Sequence, residues 1–257
     1  MVEYIVHDIN IYNDEKIKKN IGHNIAKFRS DVLKRKREDF MEELECSFCT
    51  MVNIETGKSY PNFHTIKNLT KISNLPIYYF TMIGYEINLD FSYRKLISGY
   101  TDAEQIEILM HTQCEKYNML SLYDKKMIEE MGSMEGNINY EAIGYLIRFE
   151  RIKRRMSQRE FADKINYTEK SLNNIETGNG KVSFKMLLCI CNVLHVPMDY
   201  FLVGCLENKE NAINYMLMDI FSNTKTNERE FLVRFVQLLE YRIDMNKKDA
   251  SNNIKQL

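Results

Sequence analysis

Several residue types in this 257-residue chain could do chemistry, and their spacing decides which of them can. Cys46-x-x-Cys49 places two thiols at a spacing shared by zinc ligands and redox pairs, but no second pair follows at zinc spacing. Redox sensing is the chemistry left to it, against the plainer reading of a buried or partly buried thiol. Cys189-x-Cys191 falls in an apolar run that reads as a core helix. His7, His23, His64, His111 and His195 are scattered, with no HExxH pattern and no matched cluster. Thr56-Gly57-Lys58-Ser59 lacks the upstream glycine of a phosphate-binding loop. No catalytic constellation emerges, so neither an enzyme nor a bound cofactor or metal is expected. Glu169, Lys170, Ser171, Asn173 and Asn174 form a polar group that offers hydrogen-bond donors and acceptors rather than a reaction, and taken alone it reads as a solvated helix face.

The composition says which elements can carry that group. Hydrophobic residues make up 44% and charged residues 28%, ordinary for a globular chain of one or two domains. Lysine plus arginine total 35 against 36 for aspartate plus glutamate, a net charge of −1. That total gives no global sign of a polyanionic partner and excludes none, because binding needs a local basic face. Mean hydropathy is −0.41 and no apolar run reaches about 18 residues, so no membrane is expected as partner. Met1 to Asn10 lacks a basic region followed by an apolar block, so no signal peptide is expected. The 6 cysteines fall short of disulfide-scaffold density, and a cytoplasmic location is expected. With 3 prolines and 10 glycines, the chain favours helices over the turn-rich β classes.

An internal repeat organises these helices. Asn53-Ile54-Glu55-Thr56-Gly57 recurs as Asn174-Ile175-Glu176-Thr177-Gly178, an offset of 174 − 53 = 121. The same offset pairs Phe40 with Phe161, Leu44 with Ile165, Met51 with Leu172, Phe63 with Phe184, Ile66 with Leu187, Tyr79 with Tyr200 and Phe80 with Phe201. Upstream, Ile21-Gly22, Ile25 and Arg29 match Ile143-Gly144, Ile147 and Arg151 at an offset of 143 − 21 = 122. One extra residue in the first copy, between Arg29 and Phe40, accounts for the slip. In the second copy Leu146, Phe149 and Ile152 keep helical spacing. Ser157 with Glu160 has the form of a capping box, and Phe161, Ala162 and Ile165 stripe the short helix behind it. Asn166-Tyr167 makes a turn, Thr168 caps the next helix with Leu172 and Ile175 inward, and Gly178 ends it. A fourth helix carries Phe184, Leu187, Leu188 and Cys191, and Pro197 opens a fifth.

This ordered set resembles the Cro/CI-type (XRE) helix-turn-helix family. Ile143-Gly144, Ile147, Arg151, Ser157-Gln158, Phe161-Ala162, the run Thr168 to Gly178, and Leu194-x-Val196-Pro197-x-x-Tyr200-Phe201 carry the resemblance. It implies an all-α protein with two five-helix lambda-repressor-like domains, a helical connector and a C-terminal helical segment. The divisions read as an arm at 1–20, a divergent first domain at 21–82, an acidic connector at 83–141, a second domain at 142–204 and a tail at 205–257. It implies a transcriptional regulator, a repressor by family habit, that reads the major groove of double-stranded DNA with the second helix of the motif. With Leu172 and Ile175 inward, Glu169, Lys170, Asn173 and Asn174 face outward. Asparagine suits adenine, lysine suits guanine, and glutamate accepts from the cytosine amine. Gln158, at a helix start, stands near a phosphate, and Lys181 follows the DNA backbone. The DNA-binding set is therefore Gln158, Thr168, Glu169, Lys170, Ser171, Asn173, Asn174 and Lys181. Arg148, Lys153, Arg154, Arg155 and Arg159 add positive charge nearby. The family pairs residues at the positions of Arg151 and Glu176, and the first copy keeps both as Arg29 and Glu55.

The first copy departs from the pattern elsewhere. Lys36-Arg37 stands in place of Ser157-Gln158, and its outward positions are Phe48, Cys49, Thr50, Val52 and Asn53. Its basic run (Lys16, Lys18, Lys19, Lys27, Arg29, Lys34, Arg35, Lys36, Arg37) attracts phosphates without rich base chemistry, which suggests positioning. A second DNA contact through Lys36, Arg37, Ser47, Phe48, Thr50, Asn53 and Lys58 stays open, as does a protein-contact surface on Phe48 and Val52. The connector repeats helix signals at Thr101 to Glu104 and from Leu122 to Met131. The tail has two apolar stripes, Ile213, Met216, Met218 and Ile220, then Phe231, Leu232, Phe235, Leu238, Leu239 and Ile243. They serve a homodimer or pack on their own chain. The alternative to a regulator is a protein-interaction module, antitoxin-like or regulator-inhibiting, that uses these folds as scaffold.

Overall fold

The computed structural model describes residues 13–81, 95–133, 137–222, 233 and 235–237. Residues 1–12 of the arm with His7, residue 82 at the end of the first domain, residues 83–94 and 134–136 of the connector, and most of the second tail stripe (Phe231, Leu232, Leu238, Leu239, Ile243) lie outside that set. Among the described residues every regular element is helical. In chain order the helices are α1 (Asp14–Lys27), α2 (Arg37–Glu43), α3 (Phe48–Glu55), α4 (Phe63–Ser73), α5 (Tyr78–Thr81), α6 (Asp102–Lys116) and α7 (Lys125–Ser133). There follow α8 (Tyr140–Lys153), α9 (Gln158–Ile165), α10 (Glu169–Glu176), α11 (Phe184–Leu194), α12 (Met198–Phe201) and α13 (Glu210–Phe221). No helix among the described residues is long and apolar enough to cross a membrane.

The described residues of Glu3–Glu86 and Met134–Ala212 form one compact unit, holding α1–α5 and α8–α12. Side-chain caps start its helices. Asn13, Ser47 and Asn62 accept from Lys16, Thr50 and Thr65 in the first copy, and Asn139, Ser157, Thr168 and Ser183 accept from Ala142, Glu160, Ser171 and Met186 in the second. Each such cap contributes about 1 kcal/mol. The capping box expected at Ser157 is half made: Ser157 Oγ accepts from the Glu160 amide at 3.1 Å, while the Glu160 carboxylate turns to Lys164 at 3.7 Å.

The repeat is also a repeat of backbone. Left-handed residues recur at the offset of 121: Lys34 and Arg155, Glu45 and Asn166, Gly57 and Gly178, Asn74 and His195. Since Arg29 and Arg151 differ by 122, the additional residue lies before Lys34. The chain absorbs it as a π-helical turn, Phe28–Val32, closed by Leu33 N–H donating to Phe28 O at 3.0 Å. An insertion that widens one helical turn leaves everything downstream in register. Gly22 and Gly144 show a second shared device. A methyl at either would collide with the carbonyl oxygen of Ile54 or Ile175, so the missing side chain is what lets α1 touch α3 and α8 touch α10.

Core positions follow the expected pairing: Phe40 and Phe161, Met51 and Leu172, Ile66 and Leu187, Phe80 and Phe201 are all buried. Tyr79 and Tyr200 break it. Tyr200 is fully buried, whereas Tyr79 is 41% exposed and lies edge-on to Phe28 and Phe80, whose rings already fill that corner. Within the same unit the copies touch. Phe63 and Phe184 ring centroids are 5.8 Å apart, Tyr60 and Phe184 are 5.9 Å apart, and Ile77 N–H donates to Asp199 Oδ1 at 3.0 Å. Asp14 binds Lys185 at 2.8 Å and accepts from Tyr60 Oη at 3.0 Å. The Lys185 ammonium holds the Asp14 carboxyl at about 2, with Lys18 and Tyr60 adding to the effect against burial.

The described residues of Ile87–Ser133 and Ile213–Leu257 form the other unit. Here α6 starts on a full capping box, Thr101 with Glu104, as its sequence indicates. A 3-10 turn, Leu120–Leu122, precedes α7, which begins at Lys125 rather than at Leu122. Lys116 Nζ donates to the carbonyls of Asp219, Ile220 and Ser222 at 2.6, 2.9 and 3.1 Å. A cation thus closes the carbonyl end of α13. Gln113 and Tyr117 donate to the Asp219 carboxylate at 2.7 and 3.0 Å. Ile213, Met216, Met218 and Ile220 are buried, so this chain itself covers the first tail stripe.

Candidate nucleic-acid interface

The site is built around α10. Asn166, left-handed at φ 57°, turns the chain out of α9. Thr168 then caps α10 through the Ser171 amide at 3.1 Å and shares a hydrogen bond with Ser171 Oγ at 2.8 Å. Leu172 and Ile175 anchor the helix in the core, and Glu169, Lys170, Ser171, Asn173 and Asn174 are exposed as one polar surface. Gly178, at φ +75°, ends the helix in a conformation that L side chains rarely adopt.

Behind this surface lies a chain of charge-assisted bonds. Arg151 donates from Nε to Glu176 Oε1 at 2.6 Å and from Nη2 to Oε2 at 2.8 Å. Its Nη1 donates to Met156 O at 2.7 Å. This buried, two-pronged pair ties α8 to α10. Gln158 then bridges outward. Its Nε2 donates to Glu176 Oε2 at 2.8 Å and to Asn173 Oδ1 at 3.2 Å. The amide expected at a phosphate is engaged within the chain, holding Asn173 by its oxygen and leaving the Asn173 NH₂ to outside partners. Nothing in the sequence spacing marks this clamp, because its members come from three helices.

The surrounding charge is smaller than the sequence suggested. Lys153, its side chain 4% exposed, pairs with the fully buried Glu150 at 2.7 Å, and Arg154 binds the same carboxylate. Lys153 is thereby withdrawn from the surface, and the half-buried Arg154 is neutralised. Arg148, Arg155 and Arg159 remain exposed. Exposed Lys181 sits with Nζ 5.4 Å from the Tyr140 ring centroid, a cation–π contact that steadies the loop after α10.

The corresponding residues of the first copy share the scaffold and differ at the surface. Arg29 donates to Glu55 Oε1 at 2.6 Å and, through Nη1, to Arg35 O at 2.9 Å, the counterpart of Met156. Arg37, in the place of Gln158, donates to Glu55 Oε2 at 2.7 Å. Ser47 caps α3 and bonds Thr50 Oγ1 at 2.8 Å. Asn53 Nδ2 lies 3.7 Å from Cys49 Sγ. Phe48 is 45% exposed, Val52 is half-buried, and Lys36 and Lys58 are exposed. Arg35 pairs with Glu43, so part of the basic run is neutralised.

The other candidates bring little together. Cys46 is free and half-buried, and burial raises its thiol, which disfavours the thiolate that redox exchange needs. Cys189 and Cys191 are buried in α11. Among the described residues no group of His, Cys, Asp or Glu is placed to hold a metal ion.

Residues 147–201 match the family model described as helix-turn-helix. The match takes in the second half of α8 and all of α9–α12, an XRE-type helix-turn-helix, and it fits a DNA-binding regulator in general terms. Neither a curated protein nor a solved structure matches the chain.

Proposed function

We propose that the chain is a sequence-specific, DNA-binding transcriptional regulator that uses α10 as its reading helix. The observation that carries this is the polar surface Glu169, Lys170, Asn173 and Asn174, held in place from behind by Arg151, Glu176 and Gln158. A reader must be rigid where it meets base edges, since a bidentate contact discriminates by about 1–3 kcal/mol only when both atoms align. Lys181 and the exposed Arg155 and Arg159 supply phosphate contacts. Repression is the mode we assign, because promoter occupancy by such a chain excludes the polymerase without a further activity. The chain buries the Ile213, Met216 and Ile220 stripe itself, so that stripe gives no support to a homodimer.

The test is the double variant Lys170→Ala with Asn173→Ala. Its preference for a selected duplex over random duplex is expected to fall by roughly 10- to 100-fold, with non-specific affinity largely kept. Unchanged discrimination would sink the assignment. The exposed Phe48 favours a second reading, a protein-interaction module on the same scaffold. Salt separates the two. DNA binding weakens with a logarithmic slope of about 0.9 per phosphate neutralised, whereas apolar docking is nearly flat.

A further inference from the structure

The two copies meet at their own equivalent residues. Phe63 opens α4 and Phe184 opens α11, 121 positions apart in sequence, and their rings lie 5.8 Å apart. The fifth helices meet beside them, one residue out of exact register. Ile77, one residue before α5, donates to Asp199, the second residue of α12 and the counterpart of Tyr78. A surface that touches its own equivalent, as Phe63 touches Phe184, is isologous, as in a two-fold dimer, and not a head-to-tail stack. Phe63, Ile77, Phe184 and Asp199 are all buried there. Each of α3 and α10 leads into this junction through a loop of the same length, 56–62 and 177–183.

We propose that one chain is a built-in dimer of readers, covering an asymmetric operator with two unlike half-sites. In it α10 reads one half by hydrogen bonds, and α3 reads the other through thymine methyl groups with Phe48 and Val52. This inference rests on the DNA-binding function proposed above. Its ground is what the first copy kept and what it changed. The braces Arg29–Glu55 and Arg37–Glu55 and the Ser47 cap stand as their counterparts do in the second copy. The outward residues differ: Phe48 takes the place of Glu169, and Val52 that of Asn173. A reading helix braced in the same way but faced with a ring and two methyls suits the one major-groove feature that is apolar, the C5-methyl of thymine. Exposed Lys36, at the start of α2, and Lys58, just after α3, flank the apolar pair with cations suited to phosphates on either side.

The test uses the full chain and a duplex selected by it from a random library of about 30 base pairs. The expected complex holds one chain per duplex by light scattering, with a footprint of two half-sites about 10 base pairs apart. Replacing thymine by deoxyuridine in the α3 half is expected to weaken binding about fourfold per contacted methyl. That loss disappears in the Phe48→Ser/Val52→Ser variant, whose fold is checked by its thermal melt. The deoxyuridine measurement on the unaltered chain stands without any variant. Two chains on a palindromic duplex, a footprint one half-site long, or indifference to deoxyuridine would each overturn the inference while leaving α10 as a reader. If selection recovers no preferred duplex, the DNA-binding function itself fails.

Discussion

At the residue scale, the unexpected actor is Gln158. Its amide links Glu176 to Asn173, so its loss frees Asn173 without removing any group that faces outward. Gln158→Ala is expected to cost about 1.5–3 kcal/mol of stability, chiefly its hydrogen bond to the Glu176 carboxylate, and to reduce base discrimination several-fold with little change in the salt slope. A melt and a competition titration check the two parts. The pair it leans on is more critical: Glu176→Ala leaves Arg151 buried without its partner, and a loss of about 3–5 kcal/mol is expected in denaturant unfolding. The sequence made Arg151 with Glu176 legible through the resemblance and the repeat. It could not show Gln158 on Glu176 and Asn173, a meeting of side chains from different helices that only the folded angles bring together, whereas the pairs of Glu150 with Lys153 and Arg154, three and four residues on in the same helix, are open to pattern reading.

At the scale of elements, periodicity and caps carried most of the information. Helix starts marked by Thr101, Ser157 and Thr168 lie where those residues indicate, since a cap is a local bond between neighbours three apart. The slip from 122 to 121 revealed that a residue had been added but not its form, a π-helical turn at Phe28–Val32. The widened turn predicts a deletion experiment. Removing Ser30 should restore ordinary α-helical bonding there, with the downstream helices undisturbed and amide-exchange protection in α2 and α3 unchanged. Gly144 predicts the opposite sensitivity. Gly144→Ala drives a methyl into Ile175 O and is expected to destabilise by at least about 1–3 kcal/mol, read as a lowered midpoint in urea. Tyr79 and Tyr200 mark the limit of pattern reading, because the same residue type at matched positions is exposed in one copy and buried in the other.

At the scale of the whole molecule, the contacts between copies predict an acid response. Asp14 ionises at about 2, below its ordinary 3.8, through Lys185, Lys18 and Tyr60. A lowered carboxyl contributes stability that is present above its unfolded value and is lost as pH falls through the folded one. Between about pH 4 and pH 2 the chain should therefore lose this contribution, and Asp14→Asn should flatten that part of the acid-unfolding curve. The effect is modest because the pair is partly solvated. A division by linear sequence, with an acidic segment as connector, could not foresee that residues 95–133 of that segment join the described residues after 212 in one compact unit, since long-range pairing leaves no local mark. The junction at Phe63 and Phe184 has one further consequence. A regulator made of two separate chains falls apart as a cell dilutes it, so its occupancy drops roughly with the square of its abundance. In the built-in dimer proposed above, two readers on one backbone have no such threshold: promoter response should follow copy number linearly, with a Hill coefficient of about 1, down to the last molecules left after division.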